Sequence, residues 1–202
     1  MPRRIFLPIA APFSVMTAFM SYRFLALGVV PAFPDMVGHI ETTRIAFLAH
    51  VCAAPIALVT ATFQLMPRLR ARFPGVHRWS GQVYAIAILI AGLGALVMAP
   101  GANGGLVSTL GFGLLAVLWI GFTIAGIINA RAGNITAHRR WMIRSFALTF
   151  AAVTLRFELF PMVGAGMAYE DAIAILAWAS WLPNLAVAEW LLGRPRFSAV
   201  PA

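Results

Sequence analysis

Six runs of apolar residues, 5–30, 45–66, 81–99, 106–129, 142–163 and 172–192, leave this chain one kind of fold. Each is long enough to cross roughly 30 Å of hydrocarbon as an α-helix rising about 1.5 Å per residue, and only short polar gaps separate them. The sequence therefore predicts an all-α, polytopic membrane bundle of six crossings, forming a single domain over 1–202. Pro31, Pro34, Pro67, Pro74-Gly75, Pro100-Gly101, Arg131, Pro161 and Gly193-Arg194-Pro195 mark the ends of the runs. A transmembrane β-barrel would need strands of alternating polarity, and no segment alternates. Composition agrees: 61% of the residues are hydrophobic and 10% charged, where a soluble domain carries about 25% charged.

The charge is one-sided. All 15 basic residues are Arg, against six acidic ones, for a net charge of +9. Nucleic acid is excluded as a partner because the Arg residues cluster at the ends of apolar runs and form no soluble basic face. With six crossings, Arg3, Arg4, Arg68, Arg70, Arg72, Arg78, Arg131, Arg139, Arg140, Arg194 and Arg196 share one side, and Arg44 alone lies in a loop on the other. The positive-inside rule makes the first side cytoplasmic, with both termini there, in the inner membrane of a bacterium. Arg3-Arg4 ahead of an apolar run has the outline of a signal peptide. The run is long, contains Tyr22-Arg23 and shows no small-x-small cleavage site, so the first helix is expected to be retained. The single cysteine, Cys52, lies inside an apolar run and is read as inert packing.

Helices three and five follow similar segments: Arg72 to Trp79, with His77-Arg78-Trp79, and Asn134 to Trp141, with His138-Arg139-Arg140-Trp141. Two hairpins of the same sense suggest a parallel repeat of helices two and three with four and five. The alternative is coincidence in two short segments. The run His138-Arg139-Arg140-Trp141-Met142-Ile143-Arg144-Ser145, with Leu155-Arg156, resembles the bacterial membrane-protein family catalogued as domain of unknown function 2306. His50, the segment from Arg68 through His77-Arg78-Trp79-Ser80-Gly81, and Trp181-Leu182-Pro183-Asn184-Leu185 through Glu189-Trp190 fit the same resemblance, which spans about His50 to Trp190. It implies a membrane fold and supplies no reaction.

Polar side chains inside the runs are the candidate site residues, because a charge at mid-bilayer costs around 2.5–3.5 kcal/mol and needs a partner, a water path or a short reach to the interface. His138 and Arg156 are 18 residues apart on helix five, five full turns, with Met142, Ser145, Thr149 and Ala152 between them on one face. Such a stripe of small and hydroxyl residues suits a tight helix contact or a ligand. Arg156 and Glu158 point to different sides of their helix, so the partner of Arg156 must come from elsewhere. His50 and Gln64 fall near one face of helix two, and Arg23 is expected to snorkel outward beside Tyr22. Asn184 is a further intramembrane polar candidate. At the inner rim Glu189 is the natural counter-ion for one of Arg78, Arg139, Arg140 and Arg144. Trp79, Trp141 and Trp190 suit an interfacial belt.

Three functions remain open. The first is a non-catalytic accessory, assembly or lipid-interacting subunit, bound to anionic lipids and to a larger membrane complex. The second is a b-type haem electron-transfer protein passing electrons to or from a quinone, with His77 and His138 as axial ligands, Arg144 and its neighbours on the propionates, and His50 in an outer site. No second histidine completes that outer site. The third is a small anion or proton-coupled transporter, which broken helices would favour. A nucleotide loop, zinc motif, catalytic triad or carboxylate pair is missing, so no ordinary enzyme chemistry is written in the chain.

Overall fold

The computed structural model describes the backbone over residues 2–194 and side chains over 10–194. The side chains of Arg3 and Arg4, and residues Pro195 and Arg196, lie outside the described residues. Among those described the chain is helical, without strands, and divides into two compact units, Met1–Gly101 and Ala102–Ala202. Five helical segments are long and apolar enough to cross a membrane: Arg44–Gln64, Pro74–Gly101, Gly105–Arg131, Ile135–Gly164 and Tyr169–Leu192.

The first unit opens with α1 (Pro2–Ser21) and two short helices, α2 (Phe24–Leu27) and α3 (Val29–Ala32). The apolar run 5–30 is thus not one helix. Gly28, at φ 82°, breaks the helix between α2 and α3, and the Arg23 guanidinium bonds across the break. Its Nε and Nη2 donate to the carbonyl of Ala32 at 2.9 and 2.5 Å, and the cation lies 4.7 Å from the centre of the Phe33 ring. The charge is thus met by its own loop. After a 3-10 turn at Pro34–Met36 come α4 (Val37–Thr42), α5 (Arg44–Gln64), α6 (Pro67–Arg72), α7 (Pro74–Met98) and a second 3-10 turn at Ala99–Gly101. Helix α7 starts seven residues before the run 81–99, because Pro74 occupies its first turn, where a missing N–H costs nothing. His77, Arg78 and Trp79 are therefore helical.

α1 lies along α5, and α5 along α7. Small residues let the last two close: Ala57, Ala61, Ala87 and Ala91 are buried, and a Cβ on Gly94 would lie 2.5 Å from the carbonyl oxygen of Ala46. Lipid is as apolar as Leu, so close backbone approach and interhelical hydrogen bonds stand in for hydrophobic driving force. Above this seam Ile40, Phe47 and Met98 form an apolar cluster with Phe33, whose ring meets Phe47 edge-on at 5.2 Å.

The second unit holds α8 (Gly105–Arg131), α9 (Ile135–Thr149), α10 (Ala151–Gly164), α11 (Tyr169–Ala179) and α12 (Leu182–Leu192). α8 packs on α9 and α11, and α9 on α12. Gly111 and Gly126 are its close approaches: added Cβ atoms would lie 2.7 Å from the Ala177 carbonyl oxygen and 2.6 Å from the Met142 sulfur. The expected helices five and six are each interrupted midway. At Phe150 the turn tightens, with Val153 N–H donating to the carbonyl three residues back. At Ser180-Trp181 the break follows from Pro183, which has no N–H to offer Ala179 and sits in the first turn of α12.

Candidate functional site

In the first unit the polar residues of helix two close a seam. His50 Nδ1 lies 2.9 Å from the carbonyl oxygen of Ala91. A carbonyl only accepts, so Nδ1 carries the proton and Nε2 the lone pair. Fourteen residues along each antiparallel helix, Gln64 Nε2 donates to the His77 carbonyl at 3.0 Å and to Ser80 Oγ at 2.5 Å. His50 and Gln64 share the face the sequence gives them, and that face is turned to α7. His77 opens α7 with its ring half-buried, and Tyr84, two turns on, is buried.

Sequence reading missed His39. On α4 it is 6% exposed, and a Cβ on Gly101 would lie 3.3 Å from its Cε1. Burial lowers its pKa from the ordinary histidine value. No periodicity marks it, because it sits on a short helix between crossings.

In the second unit the stripe on helix five is a helix seam. Trp119 Nε1 donates to Thr149 Oγ1 at 2.9 Å, and Thr123 and Ser145 hydroxyls are 2.8 Å apart. His138 Nδ1 donates to the Gly126 carbonyl at 2.8 Å, again leaving the lone pair on Nε2. The partners Trp119, Thr123 and Gly126 sit at helical spacing on α8, a second stripe that could have been read beside the first. Arg156 is separated from this seam by the tightened turn at Phe150, and its Nη1 donates to the Ala152 carbonyl one turn back at 2.8 Å.

At the rim, Arg144 makes a two-pronged bond to Glu189, Nε to Oε1 at 2.5 Å and Nη2 to Oε2 at 2.8 Å, tying α9 to α12. Arg144 also lies 4.8 Å from the Trp141 ring centre, and Trp141 packs on Phe122 at 5.3 Å. Trp79 and Trp190 are exposed, as a belt requires, and Arg194 stacks over Trp190. Glu189 is the counter-ion the sequence expects, and Arg144 is the residue it serves.

Further from the rim, Thr154 on α10 and Asn184 on α12 bind each other, with Asn184 Nδ2 donating to Thr154 Oγ1 at 2.9 Å and to the Ser180 carbonyl at 3.0 Å. The amide side chain thus serves the backbone at the break that Pro183 makes. Paired interruptions in crossing helices, lined by polar groups, are where transporters place binding sites.

A metal cluster of three or more His, Cys, Asp or Glu is absent among the described residues. His50 and His138 each set Nδ1 against a backbone carbonyl of the neighbouring helix, a bond that fixes the orientation of the ring. No curated protein and no solved structure shows a significant match to the chain. The family model described as "Predicted membrane protein (DUF2306)" matches residues 47–192, from α5 through the end of α12, and the chain belongs to that family.

Proposed function

We propose that the chain is a non-catalytic subunit of a bacterial inner membrane, working through its contacts with anionic lipid and with a larger membrane assembly. In this reading α1 supplies a sixth crossing, the termini and the Arg-rich rim are cytoplasmic, and the hairpins α5–α7 and α8–α9 descend from one repeated unit. The observation that carries it is the use made of intramembrane polar groups: His50, Gln64, Trp119, Thr123, His138, Ser145 and Thr149 are engaged between neighbouring helices. Meanwhile Arg68 and Arg70, together with Trp79 and Trp190, face outward at the ends of the crossings. Juxtamembrane Arg attracts anionic headgroups at about 1 kcal/mol per residue. Native mass spectrometry from mild detergent tests it. Retained phosphatidylglycerol or cardiolipin, reduced by Arg68→Gln with Arg70→Gln, is the expected result. A lipid-free monomer that captures neither lipid overturns it.

A haem protein is the second reading, favoured by one observation: His138, which opens α9 beside Arg139 and Arg140, holds its proton on Nδ1 and presents Nε2. A Soret band lost in His138→Ala would establish it.

A further inference from the structure

Helix α10 closes on a fixed set of backbone bonds. Gly166 sits in the left-handed region at φ 93°, its N–H donates to the Val163 carbonyl at 2.9 Å, and the Met167 N–H reaches back five residues to the Met162 carbonyl at 3.1 Å. In this Schellman ending the side chains at the two ends of the longer bond are brought side by side. Here both are thioethers, Met162 and Met167. They line one open concavity of about 790 Å³ in the second unit, together with Asp171 from the first turn of α11.

We propose that Met162, Met167 and Asp171 form a binding site for a soft monovalent metal cation of the copper(I) class. The two sulfurs supply soft lone pairs, which select copper(I) over the harder ions that oxygen ligands hold. Thioethers are neutral and Asp171 carries one negative charge, so a singly charged ion leaves the site without net charge. At the edge of a low-dielectric membrane that balance counts, because an uncompensated ion is costly there.

Access and adjustability fit this role. Met167 is 38% exposed and Asp171 is exposed, so an ion can enter without any helix opening. A methionine has three rotatable bonds, and the two sulfurs can converge on an ion while the backbone stays fixed. The helix ending by itself asks only for an apolar pair, which two leucines would supply; the lone pairs are what the thioethers add. The site uses none of the residues of the lipid-binding reading and goes beyond it.

Silver(I), a redox-stable ion of the same class, tests the proposal on the full chain in nanodiscs, in chloride-free buffer and a Cys52→Ser background that removes the competing thiol. At a pH of about 5.5 an ordinary histidine is largely charged, and thioethers take up no proton. One equivalent of silver should shift the methyl carbon resonances of Met162 and Met167 and leave those of the other methionines in place. Met162→Leu and Met167→Leu should each weaken binding by at least about tenfold, the loss that even outer-shell partners of metal ligands carry. Their melting temperatures should match the parent, because leucine keeps the apolar contact. Silver that moves neither methyl, or an affinity indifferent to Met162→Leu or to Asp171→Asn, overturns the proposal. Displacement by magnesium also overturns it, because magnesium takes oxygen ligands and would mark a carboxylate site alone.

Discussion

At the scale of single residues, three glycines and one histidine carry consequences that can be measured. A Cβ on Gly94 meets the backbone of Ala46, which has no side chain to swing aside. Gly94→Ala should lower stability by about 1–3 kcal/mol through overpacking, read as thermal unfolding in detergent. Gly121, whose added Cβ would meet nothing, gives the control: Gly121→Ala should be neutral or slightly stabilising. Gly126→Ala should resemble Gly94→Ala but milder, because the Met142 thioether can move. His39 gives a pH dependence. Its folded pKa lies below the ordinary value of 6.5, so the unfolded chain binds more protons at mildly acid pH and stability rises with pH there. The stabilising contribution is complete above about 6.5 and is lost as pH falls toward the lowered folded value. Melting temperatures recorded from neutral to acid pH should fall, and His39→Phe should flatten that part of the profile.

At the scale of elements, the pairs that join helices differ in worth. Trp119→Phe breaks the bond to Thr149 inside the α8–α9 seam and should cost about 0.6 kcal/mol, at most about 1.7, in line with hydrogen bonds between membrane helices. Glu189→Gln removes the α9–α12 ion pair. Glu189 is 48% exposed at the rim, so screening holds the loss to at most about 1 kcal/mol, smaller in high salt. These elements also show what a sequence can yield. The five crossings from Arg44 onward were legible because lipid demands long uninterrupted apolar segments. The face of helix five carrying Ser145 and Thr149 was legible because a 3.6-residue period reports direction. Its pairing was not, since periodicity gives a face and never the helix opposite: the stripe Trp119, Thr123 and Gly126 is readable on its own helix, but its match to Thr149, Ser145 and His138 comes only from the fold. The interruption at Phe150 has no Pro or Gly to announce it, whereas the one at Ser180 follows from Pro183. The partner of Arg23, the Ala32 carbonyl, was not legible either, because it depends on the helix break at Gly28, which no span-counting rule anticipates.

At the scale of the whole molecule, the uneven distribution of Arg is a statement about direction. In a Cys52→Ser background, a membrane-impermeant maleimide should label Ala132→Cys only from the cytoplasmic side and Glu41→Cys only from the other; the reverse pattern would invert the topology. Both positions are exposed. The partners that lock α8 to α9, from Trp119 to Thr149, are close in sequence. Such a hairpin can match its hydroxyls, indole and imidazole while still beside the ribosome, before α10 to α12 have left the exit tunnel. Its passage from the translocation channel into lipid then exposes little that an insertase would have to shield, and a nascent chain that ends just beyond Phe150 and is tethered to a stalled ribosome by an added polar linker long enough to clear the exit tunnel should already resist extraction from the bilayer.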